Sequence, residues 1–210
     1  MPRKTDIKIC GLTNLTDARA AWEAGADFLG FVLYRRSPRG ITARTLRRIR
    51  DRLPAGPRCI GVFVNEPGEE VLRVAADCGL YAVQLHGDEP ARDFAQLPLR
   101  IWRAVRLARG RSNPAPKSWP ADRYVLDAAV PGAYGGTGKL TDWRRAAELA
   151  GKHPVMLAGG LTPANVADAI RQVQPMGVDV ASGVEKAPGK KDIRKLISFI
   201  AAARNTRTAQ

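Results

Sequence analysis

Tyr124-Val125-Leu126-Asp127 leads through Pro131 and Gly132 to Gly135-Gly136-Thr137-Gly138-Lys139, and a helical pattern starts near Asp142. An apolar strand that ends in an acid and opens into a glycine-rich loop before a helix is how α/β proteins present chemistry at the carboxyl edge of a sheet. Asp127 is therefore the first candidate catalytic group. An aspartate in such a place also serves simply to hold a loop or cap a helix, so its meaning depends on what the rest of the chain brings near it.

The alternation continues on both sides. Residues 7–10 read as a strand, and Asn14 caps a helix whose apolar stripe is Leu15, Ala18 and Trp22, with Gly25 as its stop. Further strands are expected over 28–34, 58–65, 81–86, 100–106, 155–158 and 177–181. Helical patterns fall around Leu46 and over 71–77, 89–97, 142–150, 163–173 and 192–203. Strands that alternate regularly with helices imply a parallel sheet with right-handed crossovers. Eight such units predict closure into a single-domain (β/α)8 TIM barrel over residues 1–204, although 210 residues is short against the roughly 250 typical of that fold. The stretch 109–122, with Pro114, Pro116 and Pro120, predicts a degenerate fifth helix, and the polar tail 205–210 is expected to fray.

Composition excludes several classes. No apolar run approaches membrane-spanning length and no signal-peptide core precedes the first strand, so a soluble cytoplasmic protein with no membrane partner is expected. Cys10, Cys59 and Cys78 form no Cys-x-x-Cys pair and His86 and His153 are the only histidines, which argues against a disulfide framework and a metal site. The net charge of +14 raises the question of nucleic acid, and eight arginines fall between Arg35 and Arg52. Leu46, Ile49 and Leu53 recur there at helical spacing, which puts Arg44, Arg47, Arg48 and Arg52 on a solvated face. No aromatic side chains interleave with them as stacking platforms, so no nucleic acid is expected as a partner. The same field would attract a small anionic substrate.

Closing a barrel gathers the carboxyl ends of all strands around one mouth. Alternation along each strand then places Lys8 with Cys10, Gln84 with His86, Val125 with Asp127, and Asp179 with Ala181. If those faces point inward, the mouth holds a thiol, a carboxyl, an imidazole and an amide, with Lys8 and Asp179 deeper and in need of opposite charges. A cysteine alone at a strand end is as well read as a small buried hydrophobe; Asp127 is what makes Cys10 a candidate. The loops Ala158-Gly159-Gly160-Leu161 and Ala181-Ser182-Gly183-Val184-Glu185 follow the last two strands, where barrels bind phosphate on backbone N–H groups. A P-loop is excluded at Lys139, because Ala133 stands where its first glycine belongs and Leu140 where Ser or Thr would hold magnesium. No Rossmann glycine signature follows any strand.

Lys8 to Asn14, Ser37-Pro38-Arg39, Gly61 to Asn65, Val83 to Gly87, Leu126-Asp127, Gly135 to Gly138, Gly159-Gly160-Leu161 and Ser182 to Glu185 together resemble the phosphoribosylanthranilate isomerase family of tryptophan biosynthesis. The resemblance spans nearly the whole chain. It implies a cofactor-independent barrel enzyme that acts on a phosphorylated small molecule by an Amadori rearrangement, as a monomer or homodimer. Asp127 matches the family's general acid, whose environment is expected to favour its protonated form, and Cys10 matches its general base, with Lys8 the candidate cation favouring the thiolate. Arg39 matches the residue that holds the anthranilate carboxylate, phosphate would lie against Gly159, Gly160, Ser182 and Gly183, and Gly135 and Gly136 would belong to a loop covering the substrate. His86 and Asp179 are further candidates for substrate contact. Arg35, Ala158 and Ala181 depart from the common pattern, the two alanines by removing hydroxyls beside the phosphate. A related isomerase of histidine biosynthesis and, remotely, a basic RNA-binding protein are the competing readings.

Overall fold

The structure, a computed structural model, describes residues 4–108, 111–128 and 141–206. The strands of its main sheet in chain order are β1 (Asp6–Ile9), β2 (Phe28–Val32), β3 (Arg58–Phe63), β4 (Ala82–Leu85), β5 (Ile101–Ala108), β6 (Arg111–Asn113), β7 (Arg123–Ala128), β8 (Val155–Leu157) and β9 (Gly177–Val180). All but β6 are parallel, and β4 pairs with β5 while β9 pairs with β1, so eight strands close into a barrel. The closing register sets Lys8 opposite Asp179. The expected (β/α)8 architecture is the one observed.

Helices α1 (Leu15–Glu23), α2 (Ala43–Arg50), α3 (Gly68–Asp77), α4 (Trp143–Ala150), α5 (Val166–Val173) and α6 (Ile193–Asn205) cover the outside. Asn14, Thr42, Asp142 and Asp192 each turn a side-chain oxygen onto a first-turn N–H, which satisfies donors that the helix itself leaves unpaired. In α2 the predicted division holds: Leu46 and Ile49 are buried and Arg44, Arg47 and Arg48 are exposed. Asn205, expected in the tail, is the last residue of α6, and residues 207–210 lie outside the described part. No helix among the described residues is long and apolar enough to cross a membrane.

Side-chain alternation divides the core in two. Outward residues such as Ile7, Ile9, Leu29 and Phe31 pack beneath the helices, while Phe28, Ile60, Ala82, Trp102, Val125 and Met156 fill the lower barrel. Arg123 closes the amino-terminal end, bonded to Asp6 at 2.7 Å and lying 5.0 Å and 4.9 Å from the Phe28 and Trp102 ring centres. Two residues further along the strands the inward positions become polar. Lys8, Gln84, Asp127 and Asp179 sit there, all buried.

Two connections lack a full helix. Among the described residues no fifth α-helix forms; where a degenerate one was expected there are the antiparallel β5–β6 pairing and a 3-10 turn at Pro116–Ser118. The helix expected over 89–97 is also absent, and only the 3-10 turn Ala91–Asp93 forms. Pro90 and Pro98 leave too few residues between them for a stable helix. Glu89, read as the start of that helix, instead pairs with Arg103 at 2.8 Å and accepts the N–H groups of Asn65 and Gly87. Arg103 also donates to the carbonyls of Leu85 and Gly87, and Trp119 and Phe94 cover this sector with their rings.

Arg103 and Glu89 are almost wholly buried, so removing one partner strands the other's charge. Arg103→Met is expected to destabilise the protein by about 3–5 kcal/mol, measured as a lowered urea midpoint; a change within error would show that the pair holds nothing.

Candidate active site

A cleft of about 800 Å3, counting the space open to solvent, lies at the carboxyl ends of the strands. Cys10, Gln84, His86, Asp127 and Asp179 form its depth, and Arg39, Gly159, Gly160 and Ser182 stand around it. Beneath them the ammonium of Lys8 is fully buried and bonds to Asp179 Oδ2 and Gln84 Oε1, each at 2.8 Å. Burial alone would lower its pKa, but Asp179, joined by Cys10 once that thiol ionises, more than offsets this, and Lys8 stays charged. The stack needs Gly30, because a Cβ there would come within 2.9 Å of both Cys10 Sγ and Lys8 Cε.

Cys10 follows β1, its N–H bonded to Val180 O at 2.8 Å and its carbonyl accepting from Lys191 Nζ at 2.6 Å. Burial raises its pKa and Asp179 adds to this; Lys8 and Lys191 pull the other way, yet the net direction is upward. The help expected from Lys8 is thus present but outweighed, and without substrate Cys10 is a thiol.

Asp127 is buried at the end of β7, with Oδ2 3.8 Å from His86 Nε2. The other imidazole nitrogen, Nδ1, lies 2.9 Å from Gln84 Nε2. Burial first, then the charges of Lys8, Arg103 and Arg106, push the His86 pKa down to about 3, so the ring is neutral at physiological pH.

Arg39 is held by a residue that sequence reasoning placed only in a loop. Glu185 accepts from Arg39 Nε at 2.9 Å and Nη2 at 2.8 Å, a bidentate pair. Glu185 belongs to a small hairpin, β10 (Glu185–Ala187) and β11 (Lys190–Lys191), and its Oε1 also accepts from Lys191 Nζ at 3.0 Å. Burial works to raise the Glu185 pKa, but Arg39 and Lys191 outweigh it and hold the carboxylate ionised. A guanidinium has five N–H groups, so the edge formed by Nη1 and the second Nη2 hydrogen is left for another carboxylate. Gly11 allows this packing, since a Cβ there would fall 2.5 Å from Arg39 Cδ and its φ is +72°. Lys191 carried no local signal: it follows a Pro-Gly-Lys turn, and only the fold brings it beneath Cys10 and Ala181.

Gly159 and Gly160 both adopt positive φ, +84° and +66°, and Ser182 opens a 3-10 turn across from them. Gly183 is set against the Leu161 carbonyl, 1.8 Å from where its Cβ would stand, and this contact seats one loop on the other. Ala158 and Ala181 line the cleft without hydroxyls. Gly135 and Gly136 lie outside the described residues, as does the covering loop expected there.

A closed parallel barrel whose mouth collects a thiol, a carboxyl, a guanidinium and glycine loops is the layout of a (β/α)8-barrel enzyme. Residues 7–202 match the family model for N-(5'phosphoribosyl)anthranilate (PRA) isomerase. The chain is 47% identical over 202 residues to N-(5'-phosphoribosyl)anthranilate isomerase from Pelobacter propionicus, covering 96% of this chain and 97% of the relative. Among solved structures, phosphoribosyl anthranilate isomerase from Thermotoga maritima superposes with a TM-score of 0.85 at 40% identity, covering 95% and 98% of the two chains. A phosphoribosyl anthranilate isomerase in complex with reduced 1-(o-carboxyphenylamino)-1-deoxyribulose 5-phosphate gives 0.83 at 39% identity, with the same coverage. The chain belongs to the phosphoribosylanthranilate isomerase family.

Because folded His86 refuses a proton that the unfolded chain accepts, stability is expected to fall as pH drops from 6.5 toward about 3. Urea unfolding of wild type and His86→Gln at successive pH values measures this. The variant's curve should be flatter across that window, and parallel curves would show that His86 does not contribute.

Proposed function

We propose that this protein is an N-(5'-phosphoribosyl)anthranilate isomerase of tryptophan biosynthesis, with Asp127 as general acid and Cys10 as general base. The observation that carries these roles is that Cys10 and Asp127, 117 residues apart, line one cleft whose other residues offer a guanidinium and two glycine loops. The substrate is an aminoaldose with a carboxylate at one end and a phosphate at the other.

The reaction conserves all atoms. Asp127 gives its proton to the furanose ring oxygen, the C1′–O bond breaks, and the nitrogen lone pair forms a C1′=N Schiff base. Cys10, as thiolate, removes the C2′ proton, the C–H electrons form C1′=C2′, and nitrogen recovers its lone pair. The enolamine then takes up a proton at C1′ and loses one from the C2′ hydroxyl to give the 1-deoxyribulose 5-phosphate product. Each proton transfer requires a positioned group rather than a metal or organic cofactor.

The free edge of Arg39 is suited to the anthranilate carboxylate, and Glu185 and Lys191 fix its direction. Backbone N–H groups around Gly159, Gly160, Ser182 and Gly183 would receive the phosphate. With Ala158 and Ala181 in place of hydroxyl residues, that end relies on main-chain donors. As an enzyme of amino-acid biosynthesis it would work in the cytoplasm, on its own or as a homodimer.

Turnover of N-(5'-phosphoribosyl)anthranilate tests this. Cys10→Ala and Asp127→Asn are each expected to lower kcat by about 100- to 10,000-fold, and wild-type kcat/KM should climb with pH above neutral as the raised thiol ionises. Full activity in either variant would remove the assigned role, and an inactive wild type would remove the substrate. Glu185→Gln frees Arg39 and should raise KM about tenfold with kcat little changed, the mark of lost uniform binding. An unaltered KM would show that Arg39 needs no holder.

A further inference from the structure

Lys8, Gln84 and His86 form a chain of polar contacts that runs up through the barrel and stops 3.8 Å short of Asp127. Its direction follows from one constraint. A lysine ammonium has donors only, so the Gln84 oxygen must face Lys8, as it does at 2.8 Å. The Gln84 amide NH2 is thereby turned to His86 Nδ1 at 2.9 Å. An N–H facing Nδ1 requires a lone pair there, so the ring proton of a neutral imidazole must be on Nε2.

Nε2 is buried and has no hydrogen-bond partner among the described residues. An unsatisfied buried N–H is costly, and this one is aimed into the cleft beside Asp127 Oδ2. We infer that His86 is a positioning residue for the acid: the Lys8–Gln84 relay locks it as the Nε2–H tautomer, whose N–H stabilises the Asp127 carboxylate left after its proton has gone to the substrate.

The separation of 3.8 Å is longer than a hydrogen bond. A small movement of either side chain closes it when the carboxylate forms, and the bond is therefore stronger after proton transfer than before, as catalysis requires. A neutral donor suits this task better than a cation. A full positive charge would hold Asp127 ionised from the start and spoil it as an acid. Burial first, and then the positive groups near His86, Lys8 and Arg103 among them, keep the ring uncharged.

The catalytic half of this inference rests on the isomerase reading, while the tautomer is a property of the ligand-free protein. Long-range 15N–1H NMR on the full chain reads the tautomer directly, with His153→Gln used to assign the two histidines. His86 is expected to show a protonated Nε2 and a bare Nδ1 near neutral pH. An Nδ1–H tautomer or an imidazolium in wild type overturns the inference whatever the activity. Gln84→Glu presents carboxylate oxygens to both Lys8 and Nδ1, so the ring proton should move to Nδ1 and kcat should fall about 10- to 100-fold with KM within about twofold. Gln84→Met, which removes the donor without adding charge, should give mixed tautomers and an intermediate kcat. A Gln84→Glu protein that keeps the Nε2–H tautomer breaks the relay. One with a switched tautomer and wild-type kcat shows that the N–H does not act on the acid. Wild type without turnover of phosphoribosylanthranilate would remove the catalytic half together with the substrate assignment, and the NMR result would still decide the relay.

Discussion

A buried ammonium decides what can surround it. Lys8 sits inside the barrel with no access to water, and an unpaired charge there would cost far more than a small domain's margin of stability. Its partners, Gln84 and Asp179, come from strands 76 and 171 residues away, so the pairing is complete only when the barrel is closed. The same group asks for Gly30 to leave room, for Asp179 to bring its carboxyl alongside, and for Gln84 to turn its oxygen downward. Gln84 and Asp179, and His86 through Gln84, take their orientation from that demand.

A second buried ammonium does similar work one tier higher. Lys191 is bound to the carbonyls of Cys10 and Ala181 and to the Glu185 carboxylate, so one side chain ties together the end of β1, the loop after β9 and the holder of Arg39. Cys10 thus lies between two cations and is still a thiol at rest, because its burial, with Asp179 nearby, outweighs both. A resting thiol is a poor target for oxidants and alkylating agents, which act on the thiolate.

How much of this could be read from residues alone differs from place to place. The strand-helix alternation and the inward set of Lys8, Cys10, Gln84, His86, Asp127 and Asp179 follow from a period of two and the fact of closure, so they were legible. Burial of Leu46 and Ile49 beneath the arginines of α2 was legible for the same kind of reason. Between β4 and β5 the sequence misleads: the pattern at Glu89–Leu97 looks helical until Pro90 and Pro98 are weighed as breakers and Glu89 as a buried ion-pair partner. Whether Lys8 or burial governs the Cys10 thiol could not be judged from spacing, since both effects come from the same position and only the depth of burial decides between them. Lys191 was invisible because its three partners are brought together by the hairpin and the barrel end, and no local motif announces such a junction.

The barrel wall between β4 and β7 has a particular consequence. Elsewhere a helix spreads the covering of the strands over many apolar side chains, each contributing a little and each replaceable by another of similar size. Here the covering is concentrated in Phe94, Trp119 and the Arg103–Glu89 pair, which also fixes the turn that carries His86. Sequence drift has little redundancy to draw on in this sector. Tolerance to substitution is therefore unevenly distributed around the ring, and the least forgiving arc of the outer wall is the one directly behind the imidazole.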